Sequence, residues 1–162
     1  AQALQSFKVA GHRGQQVAEA RGIVAIDNSK ATNPHAADSA LAGHDSVIWV
    51  AGGQLKGAEV DDLIARHAHR LKAVALMGVD RNIIRESVEK HAPGVPIFVT
   101  DDTDPQSAMD AVCTWAVTQA SSGDAIVLAP AAASLDMYTG MGQRGVLFAE
   151  SVSAHLGGVA PK

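Results

Sequence analysis

Two lysines lie in short polar loops that follow strand-like apolar runs. Lys30 lies within the segment Asn28-Ser-Lys-Ala-Thr-Asn33, and Lys56 follows the glycine pair Gly52-Gly53 by three residues. A further loop, after the last apolar run, contains Ser134. Ammonium groups, hydroxyls and unpaired backbone amides are the donors that bind carboxylate or phosphate oxygens. This set of residues therefore predicts a site for an anionic ligand.

Other motifs in the chain do not indicate a ligand site. The segment 140–145 fits G-x-G-x-x-G, but it does not directly follow a strand, as a dinucleotide-binding loop must. No G-x-x-x-x-G-K-[ST] segment is present. His67 and His69 are two residues apart and therefore face different sides of a helix. Cys113 falls on an apolar helix face, where a core position is expected. We predict no metal site.

Short runs rich in valine and isoleucine predict buried parallel strands. They are Ile23–Ile26, Val47–Val50, Ala73–Met77, Ile97–Val99 and Ala125–Leu128. The segment before the first run, 16–22, alternates in polarity and ends in a turn at Arg21-Gly22. It predicts an antiparallel strand at the edge of the sheet.

Helical patterns separate the strands. Asp80 is predicted to be an N-cap, and Asp104-Pro105 predicts a cap followed by a proline in the first turn. One helix face is predicted from Val60, Leu63, Ile64, His67 and Leu71, and the last helix carries Leu147, Phe148, Val152 and Leu156. Repeated strand–helix units predict an α/β fold, a Rossmann-like three-layer sandwich whose sheet is mostly parallel with an antiparallel edge strand. The polar loops would then meet at the carboxyl ends of the strands, where such sheets bind ligands.

Composition excludes several classes of protein. The 162 residues are 47% hydrophobic and 19% charged, which is typical of a folded domain and not of a disordered chain. A net charge of −4 without a basic run argues against a nucleic-acid partner. One cysteine excludes a disulfide scaffold. The apolar runs are too short to cross a membrane, and no signal peptide opens the chain, so we expect a cytoplasmic protein without a membrane partner.

The polar motifs, taken in order, resemble those of the C-terminal domain of the Mur ligases. The resemblance covers nearly the whole chain, and the run Ser-Lys-Ala-Thr-Asn is specific to the member of the family that adds D-glutamate. It rests on His12-Arg13, Ser29–Asn33, Gly52-Gly53 with Lys56, Ser134-Leu135-Asp136, and Gln143-Arg144-Gly145 followed by Phe148. It implies that residues 1–14 are the end of a preceding central domain or a linker, and that residues 15–162 are the C-terminal, amino-acid-binding domain.

The resemblance implies an ATP-dependent ligase of peptidoglycan precursor synthesis. In that reaction ATP phosphorylates the alanyl carboxylate of UDP-N-acetylmuramoyl-L-alanine, and the amine of D-glutamate attacks the acyl phosphate. ATP and Mg²⁺ are held mainly by the central domain, so this domain alone is expected to bind neither and to be inactive. The other implied partners are the N-terminal and central domains of the same chain, in a monomer.

The family's amino-acid site can be carried over onto five positions. Thr32 and Lys56 would hold one carboxylate of D-glutamate. Ser134, together with the backbone amides of Leu135 and Met141, would hold the other. Met141 stands where an aromatic residue is common in the family, which matters only if that contact is a stacking one.

The nucleotide contacts are carried over in the same way. Lys30 and Arg13 would face the nucleotide phosphates and act in catalysis, by stabilising the charge that develops during phosphoryl transfer. Asp27 or Asn28 would reach the ribose of ATP. The family often has aspartate immediately before Ser-Lys, whereas here that residue is Asn28 and Asp27 precedes it.

A second interpretation is a stand-alone, non-catalytic α/β module that binds a small anionic ligand. Its strand-end loops would look the same. It would have no need of Arg13 ahead of the first hairpin, and that residue favours a domain of a larger enzyme.

Overall fold

Six strands form one mixed sheet in the computed structural model, which describes residues 14–134 and 137–156. The order across the sheet is β1-β2-β6-β3-β4-β5. The strands are β1 (Gln15–Ala20), β2 (Ile23–Asp27), β3 (Val47–Gly52), β4 (Leu71–Met77), β5 (Ile97–Val99) and β6 (Ala125–Leu128). The expected linker or domain end lies almost wholly outside the described residues.

The edge strand β1 is antiparallel to β2, and the other neighbouring strands are parallel. Arg21 and Gly22 connect β1 to β2 with φ angles of 56° and 78°. Both residues are in the left-handed region, as a tight turn between antiparallel strands requires. The predicted mostly parallel sheet with an antiparallel edge strand is confirmed.

Within the described ranges, four helices connect consecutive strands from β2 to β6, and a fifth follows β6. They are α1 (Pro34–Ala42), α2 (Asp61–His67), α3 (Arg81–His91), α4 (Pro105–Gln119) and α5 (Met141–His155). None of them is long and apolar enough to cross a membrane. As predicted, the Asp104 side chain caps α4 by accepting from Ser107 N at 2.9 Å, and Pro105 follows it.

The helices cover both faces of the sheet and so form the predicted three layers. Helices α1, α2 and α3 pack on one face, in a core that includes Trp49. Helices α4 and α5 pack on the other face, around Phe148 and Cys113. Neighbouring residues of β3 point to opposite cores, which explains why this central strand is apolar at every position. Burial also raises the pKa of the Cys113 thiol, as expected for a core residue.

Three details differ from the sequence-based expectations. The apolar patterns do not predict α1, which Asn33 caps by accepting from Ala36 N at 2.9 Å. Leu71 is the first residue of β4 and not part of a helix face, because α2 ends at His67. Asp80 holds the N-cap position of α3 but makes no side-chain cap bond, because its carboxylate accepts from Leu55 N instead.

A buried carboxylate joins three strands at the amino ends, opposite the polar loops. Asp124, just before β6, accepts from Lys72 Nζ at 2.6 Å, Ser46 Oγ at 2.8 Å and Ser121 N at 2.7 Å. Burial raises the pKa of Asp124, but these hydrogen bonds outweigh burial and hold the pKa below its ordinary value of 3.8.

We expect Asp124→Asn to remove stability in a pH-dependent way. Because the pKa is lower in the folded than in the unfolded chain, ionised Asp124 stabilises the fold fully above about pH 5, and this contribution is lost as the pH falls from 3.8 through the lower pKa of the folded chain. The variant should lose about 1–2 kcal/mol at pH 7, and the difference from wild type should shrink towards pH 3. Urea unfolding at pH 7, 4 and 3 measures this.

The exposed Asp102→Asn provides the control for removal of one negative charge. A difference between wild type and Asp124→Asn that stays constant over the same pH range would contradict the prediction.

Candidate functional site

The loops that follow β2, β3 and β6 meet at one edge of the sheet. Since β6 lies between β2 and β3, their carboxyl ends are neighbours. Backbone bonds continue past the strands: Asn28 N donates to Leu128 O at 2.9 Å, Gly52 N to Pro130 O at 3.1 Å, and Ala131 N to Ala31 O at 2.9 Å. The structure therefore brings the predicted polar loops together.

The glycine pair lets the loop after β3 run against its neighbours. Gly52 and Gly53 have φ angles of 129° and 135°, which L side chains rarely adopt. A Cβ on Gly52 would lie 1.8 Å from Met77 O, and one on Gly53 would lie 2.1 Å from Ala133 O. Directly after the pair, Gln54 and Ala133 exchange two backbone hydrogen bonds, of 2.9 and 2.8 Å. The glycines are thus needed to join the Lys56 loop to the Ser134 loop.

A buried arginine holds these loops from beneath. Arg144, on the first turn of α5, has no exposed surface. Its Nη2 donates to Ser29 O at 2.9 Å, its Nη1 donates to Ala132 O at 3.0 Å, and its Nε donates to Ser29 Oγ at 3.1 Å. One guanidinium therefore fixes the loop of Lys30 against the loop of Ser134.

Sequence reasoning identifies Arg144 only as part of a motif and misses this role. A signal was present, because Arg144 lies four residues before Phe148 and eight before Val152. At that spacing the three side chains share one helix face. A charged residue on an otherwise apolar face must find partners inside the protein.

Ser29, the first residue of the Ser-Lys-Ala-Thr-Asn run, links its loop to the start of α5. It is fully buried, and its hydroxyl donates to Met141 O at 2.7 Å while accepting from Arg144. Its backbone amide donates to Asp27 Oδ1 at 2.9 Å. These bonds fix the backbone immediately before Lys30.

Three predicted ligand-binding residues are less buried than Ser29 and Arg144. They are Lys30, Thr32 and Lys56. Lys30 and Thr32 are half-buried and Lys56 is exposed. Lys56 has a φ angle of 55° and is followed by Gly57 at 82°, so it lies in a tight left-handed turn. Across residues 14–134 and 137–156, no hydrogen-bond or ion-pair partner occupies either ammonium group. Both lysines are available to an anionic ligand.

Ser134 and the start of α5 supply the second group of donors. Ser134 is 5% exposed, and its carbonyl accepts from Tyr138 N at 2.9 Å. Helix α5 begins at Met141 after Gly140, which provides no side-chain cap. The amide of Met141 has no partner within the helix, because the first four N–H groups of a helix never do. Leu135 lies outside the described residues.

The predicted nucleotide-binding residues differ in how deeply they are buried. Asp27 has no exposed surface, and its Oδ1 accepts from Ser29 N. Asn28 is half-buried. Arg13 lies outside the described residues.

The donors at this edge suit oxyanions better than cations. Two ammonium groups, hydroxyls and helix-start amides all attract negative charge. In the part of the chain that the structure describes, no group of three or more His, Cys, Asp or Glu residues is placed to hold a metal ion. The arrangement can bind, orient and electrostatically stabilise an anionic substrate.

Comparison with known proteins gives consistent matches. The family model described as Mur ligase, glutamate ligase domain, matches residues 12–132. UDP-N-acetylmuramoylalanine–D-glutamate ligase of Corynebacterium diphtheriae is 68% identical over 155 residues, which cover 96% of this chain and 33% of that protein. The ligase of the same name from Corynebacterium efficiens is 59% identical over 160 residues, which cover 99% of this chain and 34% of that protein. The chain thus spans about a third of the length of these relatives.

A solved structure shares the fold. It is a crystallised domain described as part of a UDP-N-acetylmuramate:L-alanyl-γ-D-glutamyl-meso-diaminopimelate ligase from Haemophilus ducreyi. It superposes with a TM-score of 0.58 at 16% identity, covering 88% of this chain and 98% of that one. At this identity the likeness supports the fold alone.

We expect the guanidinium of Arg144 to be essential for stability. Arg144→Met removes the donors to Ser29 O and Ala132 O and should cost at least about 3 kcal/mol. Arg144→Lys should recover only part of this loss, because an ammonium group lacks the planar fork. Urea unfolding gives both values.

Arg85→Met serves as the matched control, because Arg85 forms a partly exposed pair with Glu89 on α3. It should cost less than about 1 kcal/mol. Equal losses for the Arg85 and Arg144 variants would contradict the role given to Arg144.

We expect Gly52→Ala to destabilise the protein by roughly 3 kcal/mol, through backbone strain and the clash with Met77 O. Gly43→Ala is the control, because Gly43 has a φ angle of −78° and its nearest atom would be 3.9 Å away. That change should be neutral or stabilising by up to about 1 kcal/mol. Thermal unfolding compares the pair, and similar melting temperatures would refute the close approach at Gly52.

Proposed function

The chain belongs to the family of Mur ligase glutamate ligase domains, and we propose that it is the amino-acid-binding C-terminal domain of an ATP-dependent ligase. That ligase adds D-glutamate to UDP-N-acetylmuramoyl-L-alanine, a step of peptidoglycan precursor synthesis. The observation that carries the proposal is the joining of three donor-bearing loops, by Arg144 and the Gln54–Ala133 bridge, at one edge of the sheet.

D-Glutamate matches this edge because it carries two carboxylates. Thr32 and Lys56, on the loops after β2 and β3, bind one of them. Ser134, on the loop after β6, and the amides of Leu135 and Met141 bind the other. The unpartnered ammonium of Lys56 and the amide of Met141 at the start of α5 support these roles.

The nucleotide lies nearer the loop after β2. Lys30 and Arg13 face its phosphates and stabilise the negative charge that develops as the phosphoryl group is transferred. Between the two residues considered for the ribose contact, the partial exposure of Asn28 favours it over the fully buried Asp27. The domain contributes orientation and charge, and the attacking nucleophile is the amine of D-glutamate.

The rest of the ligase lies in its N-terminal and central domains. The chain spans 33% of its relative from C. diphtheriae, which leaves room for the domain that binds UDP-N-acetylmuramoyl-L-alanine and for the one that holds most of ATP and Mg²⁺. We place the boundary at residue 14, with 15–162 as the C-terminal domain. The proposed ligase is a cytoplasmic monomer without nucleic-acid or membrane partners.

The domain alone should bind D-glutamate weakly. Two charge-assisted contacts contribute about 1.5–3 kcal/mol each before the ordering costs of binding. The resulting dissociation constant is on the order of millimolar.

Amide NMR of this chain during titration with D-glutamate tests the proposal, with L-glutamate as the control ligand. Shifts confined to the loops of Thr32, Lys56 and Ser134, and larger for the D-isomer, are expected. In the full-length ligase, Lys56→Gln should raise the KM for D-glutamate about 10- to 100-fold, because one charge-assisted contact is lost. Lys90→Gln, on the exposed last turn of α3, is the matched charge control and should leave this KM unchanged.

Two results would overturn the proposal. One is a full-length protein whose phosphate release from ATP does not depend on D-glutamate. The other is phosphate release above blank by the isolated chain with ATP and UDP-N-acetylmuramoyl-L-alanine. Binding of several unrelated small anions with equal affinity would instead favour a stand-alone anion-binding module.

A further inference from the structure

Asp80 contacts the Lys56 loop through both its backbone and its side chain. It lies between β4 and α3, on the turn that follows Gly78. Its amide donates to Gly53 O at 3.0 Å, and its Oδ2 accepts from Leu55 N at 2.7 Å. The turn after β4 therefore holds the loop after β3 at two alternate residues, the second of which directly precedes Lys56.

The opposite side of the same loop segment is also fixed. Gln54 lies between Gly53 and Leu55, and both its N–H and its C=O pair with Ala133. Successive residues of this extended segment thus bond to opposite neighbours. Ala133 itself directly precedes Ser134. The position of Lys56 relative to Ser134 is then set by the Gln54–Ala133 bridge on one side and by Asp80 on the other.

The side chain of Asp80 does not cap its own helix and instead contacts the Lys56 loop. An aspartate at an N-cap position commonly accepts from the first turn of its own helix, which contributes about 1 kcal/mol. Asp80 holds that position for α3 and makes no such bond. Its carboxylate satisfies the amide of Leu55, a residue only 5% exposed. An amide buried there without a partner would make the loop shift to find one.

We propose that Asp80 is a positioning residue for the amino-acid substrate: by holding Leu55 N, it sets the place of Lys56 opposite Ser134. This inference rests on the proposed function, in which Lys56 binds a carboxylate of D-glutamate. The carboxylate of Asp80 acts as a hydrogen-bond acceptor and does not touch the substrate. Asn has an acceptor oxygen at the same place, so Asp80→Asn should keep the contact and Asp80→Ala should lose it.

Steady-state kinetics of the full-length ligase test the inference. Asp80→Ala should raise the KM for D-glutamate about tenfold, with kcat and the KM for ATP within about twofold of wild type. A contact remote from the reacting amine supports substrate and transition state alike, so its loss raises KM only. Asp80→Asn should restore the KM for D-glutamate to within about threefold of wild type.

Asp101→Ala is the matched control. It also removes a carboxylate from this side of the sheet, but Asp101 is 89% exposed and forms a surface ion pair with Arg81. Its KM for D-glutamate should equal that of wild type.

A structural readout keeps the test independent of activity. In the isolated chain, Asp80→Ala should accelerate hydrogen exchange of the Leu55 amide at least about tenfold and shift resonances of residues 53–58. Asp80→Asn should keep the protection of this amide.

An unchanged KM for D-glutamate in Asp80→Ala would overturn the inference while leaving the proposed function intact. Equal loss of kcat and of ATP affinity would also overturn it, because the residue would then be needed for folding in general. If wild-type ligase shows no dependence on D-glutamate, the proposed function fails and the positioning role fails with it.

Discussion

The buried guanidinium of Arg144 is the interaction on which the shape of the site depends. A cation without access to water is tolerated only where acceptors surround it. Here the acceptors include Ser29 and Ala132, which lie on loops after two neighbouring parallel strands. Parallel strands are never joined by a short hairpin, so no tight turn of the chain ties such loops together. Arg144, on the helix that follows the last strand, joins the two loops by its hydrogen bonds. The positions of the loops at the surface of the site therefore depend on this buried side chain.

Polar groups at this edge divide into two sets. The hydroxyl of Ser29, the carboxylate of Asp80 and the guanidinium of Arg144 have their hydrogen bonds satisfied inside the protein. The ammonium groups of Lys30 and Lys56 lie outside this network and bind no other described residue. The first set holds the loops in place, and in the proposed function the second set binds the anionic substrate. A rigid site loses less entropy when a small charged substrate is bound, so more of the contact energy appears as affinity.

Most of the fold could be predicted from local patterns. The five apolar runs became β2, β3, β4, β5 and β6, and the alternating segment with Arg21-Gly22 became the antiparallel edge strand. Periodicity succeeds here because both faces of the sheet are covered, which forces continuous apolar strands. It failed at Leu71, which fits a helical spacing but begins β4. It also missed α1, which buries only Ala37 and Leu41 and whose other apolar side chains are alanines or proline, so the pattern is weak.

The site could be predicted only in part, because the interactions that hold its loops join residues that lie far apart along the chain. Residue types and their place after strands determined that Lys30, Lys56 and Ser134 would share one edge, because the direction of parallel strands fixes where their ends lie. Only the tertiary structure decided how the loops are held. Hydrogen-bond partners of Arg144 lie 12, 92 and 115 residues away along the chain, and Leu55 lies 25 residues from Asp80. Local propensity, read alone, makes Asp80 a helix cap, and the sequence identifies Arg144 only as part of a motif. A buried amide and a buried cation each require a partner, and that requirement, which only the packed fold imposes, assigned both residues to the loops.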